Sequence, residues 1–117
     1  MRNEEGKLQD KIISMLNTLD NAFFYKASDS YQRGIPDIVG VYKGLSIWIE
    51  VKTESGKLSR MQIMNLVKII KSGGVGFVAK SVEDVVDRFV AIQQQIHPQS
   101  DHHLLDSFDD LLQSVAL

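Results

Sequence analysis

Residues 45–52 constrain this chain more than any other stretch. Ile47, Ile49 and Val51 alternate there with Trp48, Glu50 and Lys52. A period of two belongs to a strand, because successive side chains leave opposite faces of the pleated backbone. Glu50 and Lys52 therefore share one face and Val51 takes the other. Thirteen residues before Glu50 lies Asp37, preceded by Gly34, Ile35 and Pro36. Proline cannot donate to a sheet ladder, so Pro36 marks the start of a strand rather than its interior. The pattern predicts a neighbouring strand over residues 37–42, closed by a tight turn at Lys43-Gly44. One acid and an acid/lysine pair then stand on adjacent strands. Two carboxylates brought together this way suit a hard divalent cation such as Mg²⁺. A lysine beside them orients a water or stabilises developing negative charge. That set of parts suits metal-assisted hydrolysis of a phosphodiester.

The remaining elements follow from periodicity and punctuation. Leu8, Ile12, Met15, Leu16 and Leu19 recur at helical spacing and predict a helix over 4–19. The aromatic run 22–26 is a strand, and the Ser/Asp/Gly-containing stretch 27–35 is a loop. A polar loop over 53–58 precedes Ser59, whose spacing to Gln62 is that of a capping box. The helix it opens runs to about Lys71 and stops at Gly73-Gly74. Residues 75–79 form a fourth strand, and Ser81 starts a last helix through Val85, Val86, Phe89 and Val90. The expected class is α/β, in the order α-β-β-β-α-β-α.

A length of 117 residues allows one domain with a real core. We expect a domain over 1–96 and a separate tail over 97–117. Pro98-Gln99-Ser100 breaks the chain. Beyond it Leu104, Leu105, Phe108, Leu111, Leu112 and Val115 fall on one helical stripe with aspartates opposite. This acidic amphipathic helix, over 104–116, is a flap on its own domain, a dimer contact, a shield for basic surface or a contact for a protein partner.

Several classes of function are excluded. The chain has no cysteine, so it has neither disulfides nor thiolate metal sites. No apolar run approaches the roughly 20 residues a membrane helix needs. The N-terminus lacks the apolar core of a signal peptide, which makes the cytoplasm the expected compartment. The net charge of −2 conceals an asymmetry. Residues 21–80 carry nine basic residues against four acids, whereas residues 97–117 carry four aspartates and no Lys or Arg. The middle of the chain is suited to facing phosphates and the tail is not. His97, His102 and His103 have neither cysteine partners nor helical His spacing, so they are not read as metal ligands. Gly73-Gly74-Val75-Gly76 lacks the Gly-Lys-Ser/Thr ending of a phosphate loop and reads as a helix stop.

Taken together, Gly34-Ile35-Pro36-Asp37, Ile49-Glu50-Val51-Lys52, Gly56-Lys57-Leu58-Ser59 with Gln62, Gly73-Gly74 and Ser81-Val82-Glu83-Asp84 resemble the signature of the PD-(D/E)XK nucleases. More narrowly, residues 5 to about 90 resemble the small stand-alone VRR-NUC nucleases of phages and bacteria. The resemblance implies a restriction-endonuclease-like α-β-β-β-α-β core, a mixed sheet flanked by helices. It implies that Asp37, Glu50 and the main-chain carbonyl of Val51 bind Mg²⁺ or Mn²⁺, and that Lys52 positions the attacking water. It matches Glu5, with Gln9 following, to the family's first-helix glutamate, although Glu4 is adjacent. It also matches Gln62 to the family's glutamine. Small relatives act as homodimers on Holliday or flap-like junctions, so branched DNA in a bacterial or phage-infected cell is the implied substrate.

Each residue also has a structural reading. Glu5 suits the first turn of any helix, and Gln62 is fully explained as a cap. Ser28, Ser30 and Tyr31 are candidates to touch the scissile phosphate or are simply polar loop residues. Lys26, Arg33, Lys57 and Arg60 either grip the DNA backbone or are solvated charges. Two other functions remain open at this stage: a DNA-binding or assembly module that does not cut, and a restriction or repair endonuclease that needs a partner protein.

Overall fold

The computed structural model describes residues 3–27, 33–53 and 55–96. The tail helix expected over 104–116, the three histidines, and Ser28, Ser30 and Tyr31 lie outside the described residues. Helix α1 (Glu4–Leu16) begins at Asn3, whose side chain accepts the Gly6 N–H at 2.7 Å. It ends before residue 19, the end predicted from periodicity. Thr18 and Leu19 donate to the carbonyls of Met15 and Leu16, a tighter turn that closes the helix. Leu19 still packs against the core, which is why it shares the helical stripe.

Four strands follow the predicted plan: β1 (Ala22–Lys26), β2 (Ile38–Tyr42), β3 (Leu45–Val51) and β4 (Val75–Ala79). They lie side by side in that order, the first three antiparallel and β4 parallel to β3. The parallel step requires a crossover, and α2 (Arg60–Lys71) supplies it. Helix α3 (Val82–Gln95) follows β4, with the Ser81 hydroxyl accepting the Asp84 N–H. Beside the Lys43-Gly44 turn, both residues have the positive φ such a tight turn requires.

Alternation sorts the sheet into two unequal faces. Ile38, Ile49 and Phe77 lie in register across β2, β3 and β4. With Phe24, Ile47, Val51 and Ala79 they meet Ile12 and Leu16 of α1 and Val85, Phe89 and Ile92 of α3. The Phe89 ring centres 5.4 Å from Tyr42 and 6.0 Å from Phe24. Each such large side chain contributes roughly 1.5–3 kcal/mol when fully buried. Gly40 lies opposite Phe24, and a Cβ there would overlap the Phe24 ring and the Phe23 carbonyl. The second face carries α2 over β4, with Leu66 against Gly76. On this face Phe23, Tyr25 and Val41 stay open, Phe23 being 68% exposed.

Strand β1 forms one edge of the sheet. Asn17, just past α1, accepts the Phe24 N–H and donates to the Phe24 carbonyl, both at 2.9 Å. The side-chain amide thus serves as a one-residue substitute for another strand.

Candidate active site

The site is assembled where β2 begins and β3 ends. Gly34 has φ +77°, and a Cβ there would stand 2.6 Å from Met61 Cγ and 2.9 Å from the Met61 main chain. Only glycine fits that approach without strain. The Asn65 side chain donates to the Arg33 carbonyl at 2.9 Å, and Pro36 is buried. These contacts fix the segment before β2 against the first turns of α2. Asp37 follows directly, and its Oδ2 accepts the Val51 N–H at 2.9 Å. The acid of one strand is thereby tied to the main chain of the next.

Glu50 is the only polar or charged residue among the described core, at 1% exposure. Its Oε1 accepts from Gln62 Nε2 at 3.2 Å. Its Oε2 is buried without a hydrogen-bond partner. Gln62 also completes the capping box of α2. Its Oε1 accepts the Ser59 N–H at 2.8 Å while its own N–H donates to Ser59 Oγ at 3.1 Å. Gln62 therefore caps α2 and touches Glu50 at the same time, because its amide has a donor end and an acceptor end.

Burial and then the Asp37 carboxyl push the Glu50 carboxyl from 4.5 up to about 8. Lys52 pulls it down and Glu5 adds a smaller push upward. Protonated, Glu50 shares its proton with Asp37; with both ionised, the two carboxylates repel each other and Glu50 Oε2 has no donor. Glu5 is the first-turn acid whose charge reaches Glu50, whereas the exposed Glu4 carboxylate lies 3.9 Å from Lys7 Nζ. Strand β3 stops at Val51, one residue short of the predicted end, although the Lys52 N–H still donates to Ala79 O at 3.0 Å. Lys52 is half-buried beside Gly56.

The predicted backbone-gripping residues separate. Arg33, Lys57 and Arg60 are exposed around the loop and first turn that lead to Gln62. Lys26, at the end of β1, pairs with Asp10 of α1 at 3.2 Å. Asn65 and Asn17 were not singled out from sequence. Their partners are set by tertiary contacts, and no local pattern announces them.

Among the described residues, no group of three or more His, Asp or Glu side chains forms a ready metal cluster. The donor chemistry nevertheless fits a divalent cation. Asp37 and Glu50 supply hard oxygens, one of them buried and unsatisfied, and main-chain carbonyls lie next to them. A buried carboxylate pair is unfavourable unless protonated or neutralised by a cation.

A mixed four-stranded sheet with helices on both faces and an acid pair at the β2/β3 junction defines a restriction-endonuclease-like α/β fold. No protein-family model and no curated protein matches the chain. Solved structures do. One, described as a VRR_NUC domain, has a TM-score of 0.65 and 25% identity, over 77% of this chain and 97% of the other. Another, described as a VRR_NUC domain protein, has a TM-score of 0.61 over 82% and 90% of the two chains. Its identity is 17%, a likeness of fold alone. These structures show that the chain shares the fold of VRR_NUC domains, a nuclease-domain fold.

Proposed function

We propose that this protein is a Mg²⁺- or Mn²⁺-dependent DNA endonuclease, selective for branched DNA such as a Holliday junction. The observation that carries the proposal is the buried Glu50 carboxylate, one oxygen unsatisfied, beside Asp37. Asp37, Glu50 and the Val51 carbonyl would hold the cation, with Glu5 closing the site from α1. When bound, the cation supplies a water of lowered pKa and neutralises charge on the phosphoryl oxygens.

The chain's own groups do the rest. The Val51 N–H fixes Asp37, and the Gln62 amide fixes Glu50 through Oε1. The Lys52 ammonium orients the attacking water and offsets charge building on the phosphate. In-line attack on phosphorus breaks the P–O3′ bond and leaves a 5′-phosphate. Arg33, Lys57 and Arg60 contact the backbone of the duplex arms. Ser28, Ser30 and Tyr31, in the loop before the motif, are proposed to contact the phosphate. A two-fold homodimer would present two sites to a near-symmetric junction.

The test uses labelled four-way junction, flap and linear duplex, with wild type and Lys52→Ala, and with Mg²⁺, Mn²⁺ or EDTA. Metal-dependent paired cuts in the junction, lost in the variant, are expected. Binding without cleavage in either metal would replace this reading with a non-cutting module or an enzyme that needs a partner protein.

A further inference from the structure

A shallow apolar groove of about 170 Å³ lies between α1 and α3, lined in part by the buried Leu16, Val85 and Phe89. Met15 and Leu19 form one wall; Val86, Val90 and Gln93 form the other, with Phe89 at its floor. Val86 and Val90 are 42% and 48% exposed. They lie at i and i+4, so they form a continuous ridge along α3. Of the four wall residues other than Gln93, Met15 and Leu19 also pack against the core.

The chain leaves α3 at the end of this groove. Ile96 turns to extended backbone with φ −85° and ψ 128° and packs against the core edge. Gln93, three residues earlier, lines the groove. Pro98 then prevents the helix from continuing. Twenty-one residues, 97–117, follow Ile96. The seven residues 97–103 match the length of a helix–helix connection, commonly about 2–8 residues. Next comes the apolar stripe of residues 104–115, including Leu104, Phe108, Leu111 and Val115. As a helix, those residues would extend about 18 Å, enough to run back along the α3 ridge. Among the described residues, the other open apolar surfaces, on α2 and around Phe23, Tyr25 and Val41, belong to the opposite face of the sheet.

We propose that the acidic tail docks in cis. Residues 104–115 form a helix antiparallel to α3, its leucine/phenylalanine stripe fills the α1/α3 groove, and its aspartates face solvent. The αα-hairpin so formed is a third helix on the sheet's core-facing side, remote from the Glu50 face. This inference does not depend on the nuclease reading.

Because the chain lacks cysteine, the full-length protein can report the contact directly. Val90→Cys combined with Leu111→Cys is expected to form an intramolecular disulfide under mild oxidation. Val67→Cys on α2, combined with Leu111→Cys, is expected to remain reduced. Preference of Leu111→Cys for the α2 position, a disulfide only between chains, or no disulfide in a folded pair would each overturn the proposal. A second measurement covers failure of the double variant to fold. With Val90→Cys alone, thiol labelling should accelerate roughly tenfold when Phe108→Asp and Leu111→Asp are added, because a docked segment shields what it covers. An unchanged rate would equally overturn the proposal.

Discussion

Replacing Glu50 by glutamine should stabilise the metal-free protein at alkaline pH, although it removes a residue we assign to the site. In the fold, the Glu50 carboxyl titrates near 8 rather than 4.5. The native state therefore holds a proton that the unfolded state gives up. The resulting stability is fully present below pH 4.5 and declines as pH rises to about 8 and beyond. At roughly 1.4 kcal/mol per unit, the total decline is on the order of 3–5 kcal/mol. Whole domains have only about 5–15 kcal/mol, so the effect is large. Glutamine keeps the size and the acceptor for Gln62 Nε2 but has no proton to lose. Urea unfolding in EDTA at pH 4.5, 6.5 and 9 should show wild type losing stability across the series while Glu50→Gln stays level. The variant should be the more stable protein at pH 9. A wild type as stable at pH 9 as at pH 4.5, or a variant that loses stability in parallel with it, would refute the account of Glu50 as an uncompensated buried acid.

Saturating Mn²⁺ at pH 8.5 should raise the thermal midpoint of wild type, by about 2.7 kcal/mol of stability at a hundredfold excess over Kd, and leave that of Glu50→Gln unmoved in calorimetry. Gln62→Ala should cost about 1–2 kcal/mol, since it removes one arm of the capping box and the donor to Glu50. In denaturant titrations that loss should grow above pH 8, where Glu50 is charged. Gly34→Ala should destabilise by roughly 1–3 kcal/mol, because it combines a left-handed backbone with a Cβ inside Met61. Equilibrium unfolding of the variant reads this directly.

The sheet was legible wherever residues alternate or repeat. Strands β1 and β4 have the predicted ends, and Ser59 and Ser81 announced both later helices. Errors arose where one pattern serves two structures. Leu19 lies on the helical stripe but reaches the core from a turn, and Lys52 continues the alternation after its strand has ended. At the site, the nearness of Asp37 and Glu50 followed from strand order and resemblance. The resemblance matched the first-helix acid to Glu5 with Glu4 adjacent, because which of two neighbouring acids turns toward the sheet depends on how α1 is rotated about its axis when it packs. Asn65 is 32 residues from the carbonyl it holds. Asn17 reaches Phe24 across a turn. Single hydrogen bonds of this kind leave no periodic trace in a sequence.

Asn17 also decides how copies of this molecule can meet. Strand β1 bears Phe23 and Tyr25 on its open face, and an edge of that composition is a template for strand addition and aggregation. The amide of Asn17 occupies both main-chain groups of Phe24, in the middle of that edge, so an incoming strand would find its central pair of hydrogen bonds already taken. Continuous growth of the sheet through β1 is blocked at a single residue. Any pairing through this side of the molecule must therefore use side chains rather than backbone.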